Sequence, residues 1–103
     1  MLDFETIRQV AQRIAAAASS PAKVIVFGSY ARGDAREDSD LDLLVIEKEI
    51  VDHTHEYLRL RDAVGHLDVG VDLLLYPEAE AEKRKTWWTT PVYWAMREGK
   101  LLT

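Results

Sequence analysis

A glycine–serine pair and an aspartate pair lie at the inner ends of two apolar runs in residues 24 to 46. The first apolar run of this stretch ends at Gly28 and Ser29, and the second begins with Asp40-Leu41-Asp42. At such a turn the backbone N–H groups are free to meet an anion, glycine lets a phosphate approach closely, and serine adds a hydroxyl donor. If the fold brings the two pairs together, they predict a site for phosphate and metal.

The aspartate pair lies at the start of a predicted strand that continues to Ile46. Side chains alternate between the two faces of a strand, so Asp40 and Asp42 point to the same side. Neighbouring carboxylates repel each other and resist desolvation, and a structural role would usually need only one, or a basic partner for each. A divalent cation removes this repulsion. Mg²⁺ prefers such oxygen ligands and keeps water and substrate phosphates in its shell.

Asp72 is the candidate for a third carboxylate at this site. It lies inside the apolar run VGVDLLLY, residues 69 to 76, which we predict to be a strand. A lone aspartate within so apolar a strand is costly unless it is paired or binds a metal. The alternative is that Asp72 lies at an open strand end and is simply hydrated.

Helices and strands alternate around these residues. Short runs rich in β-branched and aliphatic side chains predict three strands, at residues 23–27, 40–46 and 69–76, and a small edge strand at 101–102. Helical periodicity predicts a helix after an Asp3 N-cap, a short one after Gly28, and others at residues 50–64, 78–85 and 92–98. The polar triplet at 47–49 is predicted to be a break between elements.

Length and composition limit the possible functions. The 103 residues predict one domain, 1–103, with a small hydrophobic core. The net charge of −5 argues against extensive nucleic-acid binding, which needs a basic face, but not against a nucleotide bound through metal ions. The chain has no cysteine, no signal-peptide pattern and no apolar run long enough to span a membrane, so we expect a cytoplasmic protein.

Two further groups of residues have a simple explanation beside a functional one. His53 and His55 are two residues apart and do not share a helix face, which favours solvated histidines over metal ligands. Trp87 and Trp88 are adjacent and cannot both face one core from a helix, which favours exposure of one of them. Core packing is the simple explanation for the tryptophans, and a partner surface is the alternative.

The segment GSYARGDAREDSDLDLLV, residues 28 to 45, resembles the signature of the DNA polymerase β-like nucleotidyltransferase superfamily: Gly-Ser, ten residues, then Asp-x-Asp. Nearly the whole chain is similar to the smallest members, the minimal nucleotidyltransferases. The resemblance implies an α/β (α+β) fold. Its centre would be a palm-like, mixed and twisted sheet of three to four strands packed with helices.

The resemblance also implies a role for each site residue. Gly28 and Ser29 would hold the triphosphate of ATP, and Arg32 matches a basic position that either touches phosphate or braces the loop. Three catalytic carboxylates would bind two Mg²⁺ ions: Asp40, Asp42 and Asp72. The implied reaction is attack of a hydroxyl on the α-phosphate, with transfer of a nucleoside monophosphate and release of pyrophosphate.

The acceptor of that nucleotide has several candidates. Minimal members of the family often pair with a HEPN-type ribonuclease toxin and act as antitoxins that transfer AMP to a tyrosine of the toxin. Our first hypothesis is therefore a protein adenylyltransferase with such a partner. The alternatives are an antitoxin that neutralises its partner mainly by binding, and a nucleotidyltransferase that acts on RNA or a small molecule.

Overall fold

The computed structural model describes residues 1–103 and is built on a four-stranded mixed sheet with strand order β3-β2-β1-β4. The strands are β1 (Ala22–Phe27), β2 (Leu41–Glu47), β3 (Val71–Pro77) and β4 (Lys100–Leu101). The helices are α1 (Phe4–Ala17), α2 (Ser29–Arg32), α3 (His53–Val64), α4 (Glu78–Arg84) and α5 (Pro91–Glu98). None of the five helices has the length and apolar character needed to cross a bilayer.

The predicted mixed sheet with packed helices is confirmed, and its two central strands carry the site. Strand β2 pairs antiparallel with β1 and parallel with β3, and β4 adds an antiparallel edge to β1. The order explains the apolar sequence of β2, because a strand with neighbours on both sides and helices on both faces is almost entirely buried. The edge residues of the sheet thus lie in β3 and β4.

Two hydrophobic clusters, one on each face of the sheet, hold the helices in place. The alternation in β2 assigns Leu41, Leu43 and Val45 to the cluster that includes α1 and α3. Leu44 and Ile46 belong to the other cluster, which includes α4 and α5. Asp42, between Leu41 and Leu43, therefore projects on the same side of the sheet as α4 and α5.

Capping side chains set where two helices begin. The Asp3 side chain accepts a hydrogen bond of 2.8 Å from the N–H of Thr6, which confirms the predicted N-cap of α1. The third helix begins at residue 53, three residues later than predicted, because the Asp52 carboxylate accepts a 3.1 Å bond from the N–H of His55 and caps the helix there. The prediction from periodicity missed this cap.

Side chains of α3 close the free edge of β3. The Nε2 atom of His53 lies 2.8 Å from the carbonyl oxygen of Leu75, and Arg61 donates a 2.7 Å bond to the carbonyl of Val71. These bonds satisfy polar backbone groups that would otherwise be open to another strand. His55 instead pairs with Asp52, so the two neighbouring histidines have separate partners.

Glu47 contradicts the predicted polar break at residues 47–49. It is the last residue of β2 and is fully buried, with a hydrogen bond from the Ser20 hydroxyl at 3.2 Å. Glu56 of α3 is also buried, and it accepts bonds from the Ser19 N–H at 2.8 Å and the Ser19 hydroxyl at 2.7 Å. The two carboxyls tie the turn after α1 to β2 and α3.

The two buried carboxyls have opposite pKa shifts. Burial, a hydrogen bond with Glu56 and the negative charge of Glu56 raise the pKa of Glu47 to about 7. Burial acts in the same direction on Glu56, but hydrogen bonds from Glu47 and Ser19 outweigh it and lower its pKa. Below about pH 7 the proton that the pair retains is therefore assigned to Glu47, in a hydrogen bond with the Glu56 carboxylate.

Candidate active site

Asp42 and Asp72 are register partners on neighbouring parallel strands. Asp42 is the second residue of β2 and pairs with Asp72, the second residue of β3, while Phe27 at the end of β1 lies on its other side. Neighbouring strands are about 4.8 Å apart and register partners project to the same face. The fold thus brings together two carboxylates that are thirty residues apart in sequence.

The pKa of Asp42 is raised by its position in this arrangement. Burial, a hydrogen bond with Asp72, and the negative charges of Asp72 and Asp40 together raise the pKa of Asp42 to about 6. The positive charge of Arg32 acts in the opposite direction. The site therefore concentrates negative charge that the chain's own cations do not neutralise.

Asp40 lies just before β2, and its carboxylate lies where a side chain at Gly70 would project. A side chain at residue 70 would place its Cβ 2.5 Å from Oδ1 of Asp40, so this carboxylate would have to move from its present position. The N–H of Leu41 donates a 2.9 Å bond to the carbonyl of Gly70, which keeps the two segments adjacent. Sequence reasoning missed Gly70. The available signal was a glycine two residues before Asp72, on the same face of the predicted strand.

Gly28 brings the serine turn against Asp42. Its backbone has a φ of +70°, which L side chains rarely adopt, and an added Cβ would overlap Oδ2 of Asp42. Both the backbone conformation and the contact therefore require glycine. Ser29 begins the one-turn helix α2, whose backbone closes with bonds from Ala31 and Arg32 to the Gly28 carbonyl. The glycine–serine turn and the carboxylates thus form one site.

Arg32 joins the turn to the last helix. Its guanidinium lies 3.4 Å from the Asp34 carboxylate and 3.2 Å from the carboxylate of Glu98 in α5. Of the two roles left open by the sequence, bracing the loop is the one visible in this structure. Glu98 is a further residue that the sequence motif does not reveal, because it lies sixty-six residues away in the chain.

A cavity of about 300 Å³ opens beside the two paired aspartates. One end is polar, and the lining is otherwise apolar: Phe27, Asp42, Tyr57, Asp72, Leu73, Leu74 and Pro91. A slightly larger cavity of about 330 Å³ lies over the opposite end of the sheet and is lined by none of these residues. We assign the site to the smaller cavity because it contains the carboxylates.

The donor chemistry of this site fits a divalent cation with open coordination positions. Asp42 and Asp72 offer adjacent carboxylates, and burial together with the neighbouring negative charges raises the pKa of Asp42, a penalty that a bound cation would reduce. As the side chains stand, the chain holds no group of three or more histidine and carboxylate ligands close enough to enclose a metal ion. A hard cation with water and phosphate oxygens in its remaining positions matches two adjacent carboxylates better than a closed protein cage does.

The family of the chain follows from a comparison over most of its length. The family model described as a nucleotidyltransferase domain matches residues 7–91, a segment that contains the turn and all three aspartates. The chain belongs to this nucleotidyltransferase family. The resemblance seen in the Gly-Ser and Asp-x-Asp pattern is therefore confirmed.

Curated relatives of this nucleotidyltransferase match it over shorter segments. The protein adenylyltransferase MntA of Thermococcus cleftensis is 68% identical over 25 residues, which are 24% of this chain and 25% of the relative. A candidate protein adenylyltransferase of Methanocaldococcus jannaschii is 38% identical over 52 residues, 50% of this chain and 59% of the relative. The chain thus spans between about a quarter and three fifths of these relatives.

Two solved structures share the fold of the nucleotidyltransferase. A candidate nucleotidyltransferase from Sulfolobus solfataricus aligns with a TM-score of 0.60 and 20% identity, covering 94% of this chain and 76% of the other. A crystal structure of a toxin–antitoxin with AMP-PNP also aligns with a TM-score of 0.60 and 20% identity, over 99% of this chain and 73% of the other. At this level of identity the comparison establishes the fold.

Proposed function

We propose that this nucleotidyltransferase transfers AMP from ATP to a protein hydroxyl and acts as an antitoxin. The acceptor in this proposal is a tyrosine of a partner HEPN-type ribonuclease toxin. The observation that carries the proposal is the pairing of Asp42 with Asp72 directly beside the Gly28 turn. Relatives named protein adenylyltransferase, and a neighbour in fold that is a toxin–antitoxin with AMP-PNP, support the choice of reaction and partner.

The proposed substrate complex contains ATP and two Mg²⁺ ions. Asp40, Asp42 and Asp72 are the carboxylates that would hold the ions, with Asp42 and Asp72 as the adjacent pair. Bound there, Mg²⁺ would neutralise triphosphate charge and lower the pKa of the incoming hydroxyl. The backbone and hydroxyl of Ser29 would face the phosphates, and Gly28 lets the nucleotide approach the carboxylates closely.

The bond changes follow from this arrangement. The tyrosine oxygen forms a bond to the α-phosphorus of ATP, the bond from that phosphorus to the bridging oxygen breaks, and pyrophosphate leaves. Asp72 is exposed and lies on the edge strand β3, and in this proposal it would accept the hydroxyl proton. Positioning and charge neutralisation contribute most of the rate enhancement in this type of reaction.

The protein partner completes the acceptor side. The cavity beside Asp42 is open and small, about 300 Å³, which leaves this chain little surface of its own to grip a large acceptor such as RNA. A partner that docks beside the cavity would supply the hydroxyl and the surface that encloses the open side of the cavity. ATP and such a partner would be available in the cytoplasm, where we place the protein.

Parallel assays with α-labelled and γ-labelled ATP test the reaction. The protein is incubated with Mg²⁺ and the product of its adjacent gene, and label on that product is measured. The proposal expects label from the α-phosphate only, and none with Asp42→Asn. Asp38→Asn is the matched control, since Asp38 is an exposed loop residue that forms no hydrogen bond or ion pair, and it should transfer as well as the native chain. Label from the γ-phosphate, or none from the native chain, would overturn the proposal.

The tyrosine and the antitoxin role have separate readouts. Mass spectrometry of the labelled product should find AMP on a tyrosine, and replacing that tyrosine by phenylalanine should abolish the label. Toxicity of the partner in cells should be relieved by the native chain and by Asp38→Asn. If the double variant Asp40→Ala, Asp42→Ala still relieves toxicity, neutralisation occurs by binding and the catalytic antitoxin role is wrong.

A further inference from the structure

All three tryptophans of the chain are exposed to solvent. Their side chains keep 49% (Trp87), 69% (Trp88) and 47% (Trp94) of their accessible area, although tryptophan is highly buried on average in folded proteins. The Nε1 atom of Trp94 donates a 2.8 Å bond to the carbonyl of Trp88, so the two residues are adjacent in space. Trp88 and Trp94 are called the aromatic patch below.

Internal bonds fix the backbone that presents the aromatic patch. The hydroxyl of Thr90 shares its one proton between the carbonyls of Trp87, at 2.8 Å, and Arg84, at 3.1 Å. These bonds fold the segment between α4 and α5 back on itself. Large aromatic side chains on a backbone that is already fixed lose little conformational entropy when a partner binds.

The segment that carries the aromatic patch is more basic than the rest of the chain, although two of its basic side chains pair with acids of α4 just before it. Residues 83 to 100 contain five basic side chains and one acidic side chain, whereas the chain has a net charge of −5. Arg97 lies on the ring of Tyr93 and donates a 3.0 Å bond to its hydroxyl. Tryptophan, tyrosine and arginine are the residues that contribute most at the centres of protein–protein interfaces.

The aromatic patch is linked to the candidate active site through Pro91. Pro91 lines the cavity that contains Asp42 and Asp72 and is also the first residue of α5. Trp88 lies three residues before Pro91 and Trp94 three residues after it. Trp94 thus lies about one turn of α5 from Pro91, and a protein bound on the patch would reach the mouth of the cavity.

We propose that the aromatic patch is the docking surface for an acidic face of the acceptor protein, which it holds with the reactive hydroxyl at the cavity. The proposal rests on the proposed function and identifies the surface that function would use. A protein is favoured over RNA because few basic groups are free: Arg84 is paired with Glu80, and Lys85 is paired with Glu82. The remaining positive charge suits a few acidic side chains better than a run of phosphates.

Binding of the adjacent gene's product to an inactive background tests the docking surface without transfer. The affinity is measured by calorimetry for Asp42→Asn alone and with Trp88→Ser or with Trp88→Ser and Trp94→Ser added. The expected result is at least a tenfold weaker affinity for the single change and a further loss for the double change. Leu58→Ser is the matched control, because Leu58 is 57% exposed on α3, away from the patch, and it should bind as the background does.

A second measurement separates docking from folding and from catalysis. In the active chain, the two tryptophan changes should raise the KM for the acceptor at least tenfold, with the KM for ATP and the thermal midpoint nearly unchanged. If transfer by the native chain fails while binding remains patch-dependent, the proposed function is wrong and the docking surface stands. Unchanged affinity in the double variant overturns the docking proposal. Absence of binding when both tryptophans are present overturns it as well.

Two other occupants of the aromatic patch are distinguished by the same variants. Sedimentation of the native chain alone as a dimer, with the double variant a monomer, would assign the patch to a second copy. Binding of a single-stranded oligoribonucleotide that is lost in the double variant would assign it to RNA. Either result would overturn docking of the acceptor protein.

Discussion

The Oδ2 atom of Asp42 occupies the space into which a side chain at Gly28 would project. This contact joins the end of β1 to the start of β2 at the point where a phosphate and a metal ion would meet. A single methyl group added at residue 28 would therefore displace the Asp42 carboxylate. The positive φ of Gly28 adds a second, independent requirement for glycine.

Gly28→Ala should reduce both stability and AMP transfer. The backbone strain is expected to cost roughly 1–3 kcal/mol, and displacement of Asp42 should lower transfer more than tenfold. Gly65→Ala provides the control, because Gly65 has a similar backbone conformation, with φ +72° and ψ −160°, and open space around it. It should lose similar stability by denaturant unfolding but keep its transfer rate. Equal transfer by the two variants would show that the contact with Asp42 is unimportant.

Gly70→Ala should act on Asp40 alone. The backbone of Gly70 has no positive φ, so strain is small, but the new Cβ would force the Asp40 carboxylate to move. We expect a higher Mg²⁺ concentration for half-maximal transfer and a stability loss of about 1 kcal/mol. In an Asp40→Ala background the same change should cost no stability, because its collision partner is absent. A stability loss that persists there would assign the effect to another contact.

Asp42→Asn should leave the metal-free protein as stable as before or more stable at pH 7.5. The folded pKa of about 6 is above the ordinary value of 3.8, so the folded state binds more protons between these values. The penalty of ionising Asp42 therefore grows as pH rises from about 4 to about 6 and is complete above that. Removing it should gain up to roughly 1–2 kcal/mol by thermal or urea unfolding.

The same Asp42 variant should lose its response to ligand. Mg²⁺ with ATP should raise the thermal midpoint of the native chain and of Asp38→Asn, but not that of Asp42→Asn. A clear loss of metal-free stability in Asp42→Asn would identify Asp42 as a structural residue and contradict the site assignment.

Glu47→Gln should remove a pH dependence that lies far from the site. Because the pKa of Glu47 in the folded protein is raised to about 7, its contribution to stability is fully present below the ordinary value of 4.5. That contribution is lost as pH rises through 7. A glutamine amide can donate to Glu56 as the protonated acid does, at every pH. The free energy of unfolding of the variant should therefore exceed that of the native chain by roughly 1–3 kcal/mol at pH 9. At pH 6 the two should differ little.

Exposed Glu49 supplies the comparison for that pH experiment. Glu49→Gln should follow the native unfolding curve at pH 6 and at pH 9, since its side chain is in water. If Glu47→Gln shows the same decline between these pH values as the native chain, the buried pair does not share a proton.

The sequence predicts the sheet and the catalytic pattern because both are local. Alternation along the predicted strand 40–46 places Asp40 and Asp42 on one face, and the apolar run around Asp72 marks its strand. The parallel register of β2 and β3 is a long-range property, so the pairing of Asp42 with Asp72 is visible only in the fold. Polar partners brought together by tertiary structure are hidden in the same way, as Glu47 with Glu56 and Arg32 with Glu98 show.

The measurement that tests the central claim most directly is the position of a bound metal ion. Crystals grown with Mn²⁺ and AMP-PNP would be examined by anomalous diffraction, which locates the ion independently of the surrounding density. We predict an ion between the carboxylates of Asp42 and Asp72, with the triphosphate against the Gly28–Ser29 turn. An ion bound elsewhere, or a nucleotide that contacts neither the aspartates nor the turn, would contradict the account.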